Sequence, residues 1–357
     1  MKIAVVGGGI NGLCCAWQLS QAGHQVALFE KGELMGATSA ASSKLLHGGL
    51  RYLEQGELRL VHEALLERQW WLQHSPLLTR RLPILYPLYE DGRRHRWQLK
   101  AGMLLYDLLA GRRGIGRHRW LNRAQVARCS PELKQQGLKG AYLFFDGQMD
   151  DRALGLWVAE QCYQLGTEIH QHSPVTRLSP AGGVESGGRW LDFELVLNVA
   201  GPWSEALLRQ SELPVAQPLD LVRGSHLLLP DIGRYGHMLE VPKERRIVFV
   251  LPYQGQTLLG TTEVRQGIEE SIACSPEERR YLLTLYNHYF IHPRSEADIL
   301  GEFAGLRPLL AGSADATSAS REYALNWQGR LLTVSGGKWT TARALARKVT
   351  EAVAARA

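Results

Sequence analysis

The chain has 357 residues, 45% of them apolar and 21% charged, which is enough for about two packed domains and excludes a disordered protein. Its 41 lysines and arginines exceed its 35 acids by only six, dispersed along the chain, so a nucleic-acid footprint is excluded and an anionic ligand or surface is favoured. Five cysteines without regular spacing suggest neither a disulfide framework nor a metal site, so a reducing cytosol fits, and no apolar run approaches the roughly 18 residues of a spanning helix.

Lys2 to Val6 reads as a short strand, Asn11 to Ala22 as a helix stopped by Gly23, and Gln25 to Phe29 as a second strand, together one βαβ unit. The first turn is Gly7-Gly8-Gly9-Ile10-Asn11-Gly12, with Glu30 eighteen residues beyond its last glycine. Gly7 permits the tight turn, Gly9 lets backbone amides approach a pyrophosphate, and Gly12 allows the helix to pack closely on the sheet. Glu30 can hold an adenosine ribose hydroxyl, which favours FAD or NAD over NADP. The apolar start looks like a signal peptide, but its glycines serve this nucleotide turn. Cys14 and Cys15 read as small packing residues.

The loop from Gly36 to Lys44 concentrates Thr38, Ser39, Ser42 and Ser43, donors without bulk that suit a cofactor's phosphates and ring system. Beyond it, His47 and Arg51 share a face if the stretch is helical, the plain alternative being a flexible loop with a satisfied histidine. Glu57 to Gln73 places Leu58, Val61, Leu65 and Leu72 at helical spacing before Ser75-Pro76. Residues 77 to 145 change character: proline-punctuated strands, an apolar segment Gln98 to Ala110, and Arg112, Arg113, Arg117, Arg119 and Arg123. This basic stretch reads as a solvated loop, with a phospholipid or acceptor contact as the alternative.

Asp150 can cap a helix from Asp151 to Leu165, Glu168 to Leu178 and Phe193 to Val199 read as strands, and Gly182 to Gly188 as a hairpin turn between them. Ala200-Gly201-Pro202-Trp203 is a further strand-to-helix glycine turn. Strands at Leu219 to Leu229, Arg246 to Leu251 and Thr257 to Thr261 surround one helix whose start, Ser275-Pro276-Glu277-Glu278, has the capping-box pattern. Arg330 to Val334 is a strand, and Gly336-Gly337 leads into a helix from Lys338 whose first amides would stabilise the negative pyrimidine side of a reduced flavin.

These blocks together resemble the FAD-dependent glycerol-3-phosphate dehydrogenase and oxidase family, within the D-amino-acid-oxidase-like group. The most specific runs from Ala37 through Ser42, Ser43, Lys44 and His47 to Glu54. Val196 to Trp203, Arg223 to His226, Arg246 to Pro252, Leu259 to Thr262, Gly305 to Pro308, Arg321 to Tyr323 and Gly336 to Thr341 carry the likeness to the end. The resemblance implies an α/β fold. Residues 1–76, 148–215 and 327–357 would form a discontinuous Rossmann-like FAD domain, and 77–147 and 216–326 a mixed-sheet α+β substrate domain.

It also implies oxidation of sn-glycerol 3-phosphate to dihydroxyacetone phosphate, with electrons passed to quinone or oxygen, and an option of peripheral attachment to the inner face of the cytoplasmic membrane. By matching positions, Arg307 with Arg51, Lys338 and Arg321 would clamp the substrate anion, and His47 and Tyr52 would sit near the reacting hydroxyl. His47 is the candidate base, Lys338 the runner-up. The match extends cofactor contacts to Ile10, Asn11, Lys31, Leu46, Gly48, Val175, Ala200, Gly201, Trp203, Gly305, Gly337, Trp339 and Thr340. Three departures stand out. The chain ends where bacterial dehydrogenases continue into a helical domain, Glu263 replaces a commoner Asp, and Trp339 and Ala342 replace Leu and Tyr. The alternatives are oxidation of another small anionic hydroxy acid or amino acid on the same scaffold, or a flavin-binding subunit without turnover.

Overall fold

A computed structural model describes residues 1–244, 246–311 and 323–356, without the side chains of Arg51, Glu54 and Gln55. Lys2–Val6 pairs in parallel with Gln25–Phe29 on one side and Leu195–Asn198 on the other, at the centre of a six-stranded sheet. Alternate side chains of this strand serve two layers. Ile3 and Val5 pack under the helices Ile10–Gln21, Asp151–Gln164 and Ala342–Ala354, while Ala4 and Val6 meet Leu178, Val184 and Leu207. Burial on both faces explains why the strand is an unbroken apolar run.

A ten-stranded sheet forms the second body. Thr79–Tyr89 and Leu138–Met149 pair antiparallel along their length, and Leu219–Pro230 does the same with Gly301–Leu310, a strand absent from the sequence reading. Leu45–Leu46 leaves the serine-rich loop and joins the edge of this sheet opposite Gln148 and Gly147. The chain thus crosses between the two sheets immediately before His47, and the space between them is the site.

Several local expectations change. The final helix begins at Ala342, because Gly336 and Gly337 hold φ of 78° and 90° and the chain turns once more before it can coil. Glu168 to Leu178 is two strands, Glu168–His170 and Val175–Ser179, in different sheets. Within Gly182 to Gly188, Gly183–Ser186 is itself a strand and the turn is Gly187-Gly188. His47 lies outside any helix, and only Leu50–Gln55 forms a tight 3-10 turn. Tyr323–Gln328 pairs with Leu331–Gly336, so the six-stranded sheet begins four residues before 327.

The serine-rich loop is anchored by a buried ion pair. Lys44 Nζ lies 2.7 Å from Asp151 Oδ1, and Asp151 Oδ2 accepts from the Ser42 hydroxyl at 2.7 Å. Removing one partner of such a pair strands the other charge away from water. Asp151→Ala is therefore expected to cost about 3 to 5 kcal/mol, read as a lowered urea midpoint at unchanged slope.

Candidate active site

One cleft of about 550 Å³ runs between the two sheets, from the glycine turn to the strand carrying Arg307. At its first end the glycine requirements are steric. A Cβ on Gly12 would stand 1.9 Å from the Gly7 carbonyl oxygen, and one on Gly7, at φ 117°, would stand 2.5 Å from that of Val199. A Cβ on Gly9 would come 2.9 Å from Ser39 Oγ, which itself accepts from the Ile10 amide at 3.0 Å. The turn is a cradle that side chains would fill. Asn11 Oδ1, in the cleft wall, is buried without a hydrogen-bond partner, a polar atom awaiting a ligand. Glu30 closes the strand after the helix and accepts from the Gly8 and Gly32 amides at 2.6 and 3.0 Å. Lys31 lies 3.4 Å over the Trp203 ring, and burial lowers its ammonium pKa below the ordinary lysine value, opposed by Glu30. These features fit a dinucleotide.

Thr38, Ser39, Ser42, Ser43, Val175, Ala200, Gly201, Gly305, Gly336, Trp339 and Thr340 line the same cleft. Thr38 donates to Leu306 O at 2.7 Å and the Trp339 indole to Ser39 O at 2.9 Å, which ties the serine loop to the ten-stranded sheet and to the turn before the last helix. Gly12, Lys44, Leu46 and Gly48 are buried behind the wall instead. Lys44 is consumed by Asp151, Leu46 is in the core, and Gly12 and Gly48 act by leaving space. Arg321 and the side chain of Arg51 lie outside what is described.

At the other end His47, Tyr52, Lys338 and Arg307 all line the cleft. Lys338 Nζ sits 3.5 Å from the centre of the Tyr52 ring, whose centroid is 6.3 Å from that of His47. Arg307 donates from Nη2 to Thr262 O at 3.2 Å, and its Nη1 is 3.6 Å from Glu263. Glu263 also lies 3.4 Å from Arg246, so this departure from the family pattern becomes a bridge between two guanidinium groups.

The sequence reading gave no role to the residues that fix the His47 loop. The Gly48 amide donates to Tyr106 Oη at 2.9 Å and to Asp146 Oδ1 at 3.2 Å, and Arg68 Nη1 binds the same carboxylate oxygen at 2.6 Å. Burial pushes the Asp146 carboxyl above its usual range, against the pull of Arg68 and of its hydrogen bonds. Two signals were present: Arg68 falls on the apolar helix face with Val61 and Leu65, and Asp146 interrupts an apolar strand after Phe144 and Phe145. A charge on such a face needs a partner, but its identity depends on contact across 78 residues.

The family model described as FAD dependent oxidoreductase matches residues 2–352. Curated relatives include a glycerol-3-phosphate dehydrogenase of Pseudomonas aeruginosa, 36% identical over 96% of this chain and 70% of that protein. Another glycerol-3-phosphate dehydrogenase, of Mycobacterium leprae, is 33% identical over 99% of this chain, which spans 63% of its length. The fold matches a glycerol-3-phosphate dehydrogenase from Bacillus halodurans complexed with FAD, at TM-score 0.78 and 23% identity, covering 99% of this chain and 64% of that one. It equally matches an L-alpha-glycerophosphate oxidase from Mycoplasma pneumoniae with FAD bound, at TM-score 0.78, 18% identity and coverage of 98% and 94%. With its glycine cradle, its cleft and a family match over residues 2–352, the chain belongs to the FAD-dependent oxidoreductase family.

Proposed function

We propose that this chain oxidises sn-glycerol 3-phosphate to dihydroxyacetone phosphate. The observation that carries the reading is the composition of the cleft wall, where the cationic Arg307 and Lys338 line the same space as His47 and Tyr52 and Lys338 lies over the Tyr52 ring. Bound FAD supplies the acceptor for the carbinol hydrogen with its electron pair. A guanidinium fork suits a phosphate dianion, and Arg307, held by Thr262 O, can present one. Lys338 adds a point charge held close to Tyr52. A neutral His47 imidazole takes the hydroxyl proton, and the Gly48 tether fixes its chain position.

The test is anaerobic addition of glycerol 3-phosphate to the purified yellow protein, read as bleaching of the flavin absorbance. Bleaching is expected; bound flavin that only an amino acid or another hydroxy acid bleaches would overturn this substrate. Readmitting air or a soluble quinone analogue then identifies the acceptor.

We also propose a peripheral membrane contact. The helix Arg96–Ala110 exposes Trp97, Leu104 and Leu108 at 69%, 53% and 75%, with Ala101 on the same face, between exposed Arg93, Arg96 and Lys100 and the exposed Arg112, Arg113 and Arg117. An apolar ridge flanked by basic groups suits an anionic bilayer surface, at about 1 kcal/mol per basic residue. The protein should sediment with phosphatidylglycerol vesicles and not with phosphatidylcholine vesicles, and Trp97→Glu with Leu108→Glu should abolish that. Among the described residues no helix is long and apolar enough to cross a membrane.

A further inference from the structure

His226 lines the cleft from the strand Leu219–Pro230, and the reaction scheme leaves it without a role. Only 2% of it is exposed. Its ring stacks on Phe303 with centroids 4.9 Å apart and planes 17° apart, and it is pressed against Gly260, where a Cβ would stand 2.3 Å from its Cδ2. These contacts fix the ring plane, and the flip that gives Ser43 a ring nitrogen puts Nε2 2.9 Å from Ser43 Oγ and leaves Nδ1 buried with no hydrogen-bond partner.

The tautomer follows from those two atoms. A proton on Nδ1 would be an unpaired buried donor, costing about 1 to 3 kcal/mol, whereas a proton on Nε2 has the Ser43 oxygen as its acceptor. Burial, with the charges of Lys44 and Arg307, also lowers the His226 pKa to about 3, so the ring is neutral and its single proton is placed on Nε2 by that pairing. Nε2–H then donates to Ser43 Oγ. A serine hydroxyl that accepts from the ring must donate its own hydrogen elsewhere, and Ser43 also lines the cleft.

We propose that His226 is a positioning residue for the cofactor: by donating Nε2–H to Ser43, it turns the Ser43 hydroxyl into a hydrogen-bond donor aimed at bound FAD. This rests on FAD binding but not on the choice of substrate.

The test is titration of apoprotein with FAD, followed by fluorescence, for Ser43→Ala, His226→Phe, the double variant and His226→Gln. Each single removal is expected to weaken FAD binding about tenfold, one hydrogen bond's worth. The double variant should be no weaker than the worse single one, because both remove the same interaction. His226→Gln keeps a donor and should recover most of the affinity. Multiplying losses in the double variant, or Ser43→Ala binding at wild-type affinity, would overturn the proposal. Should His226→Phe fail to fold, the histidine 15N spectrum of the wild-type holoprotein decides: a pyridine-type Nδ1 signal is expected for His226, and a protonated Nδ1 refutes it. Failure of the apoprotein to bind FAD at all would instead defeat the cofactor assignment.

Discussion

His47→Asn should slow anaerobic flavin reduction by glycerol 3-phosphate by about 10²- to 10⁴-fold, the range spanned by general base catalysis, with flavin content unchanged. Asparagine keeps a polar side chain at the end of the Gly48 tether but cannot take up a proton. The pH profile separates the base from a mere contact. An imidazole acts unprotonated, so the wild-type rate constant should fall as acid protonates it, and that acidic limb should be missing in the variant. A slow variant that keeps the limb would move the role to another group, with Lys338, 3.5 Å from the Tyr52 ring centre, next in line. Stopped-flow measurement of flavin bleaching against pH reads both outcomes.

Arg307→Ala should raise the Michaelis constant for glycerol 3-phosphate roughly 10- to 150-fold, from the loss of about 1.5 to 3 kcal/mol of charge-assisted hydrogen bonding. The fold should survive. Glu263 keeps Arg246 as a partner at 3.4 Å, and the strand register of Val222 opposite residue 307 is made by backbone. Flavin content, measured from the visible spectrum, should therefore be unchanged, and loss of flavin would make Arg307 part of the cofactor wall. Raising the salt concentration should narrow the gap between variant and wild type, since the deleted interaction is ionic.

The nucleotide half of the molecule was legible because its signals are local. Gly7, Gly9 and Gly12 mark backbone that a Cβ would block, and the apolar run Ile3 to Val6 marks a strand covered on both faces. The helix start at Ser275 was equally legible, where the hydroxyl and Glu278 make the reciprocal bonds, whereas the Asn122 cap of the helix Arg123–Cys129 went unread in a basic stretch taken as a loop. The last helix was placed four residues early because two glycines at positive φ leave no periodic trace in the sequence.

What the amino-acid sequence alone determined is the set of short-range requirements: the glycine cradle, the small hydroxyl-rich loop, and which residue types carry charge or titrate. Only the tertiary structure decided how those residues divide their work. Lys44, next to cleft-lining Ser43, turns away to Asp151, 107 residues on; Glu263 is caught between Arg307 and Arg246; Asp146 reaches across to Gly48. A buried charge must find its counter-charge wherever the packed chain brings one, and that choice depends on distances in space that spacing along the chain does not encode.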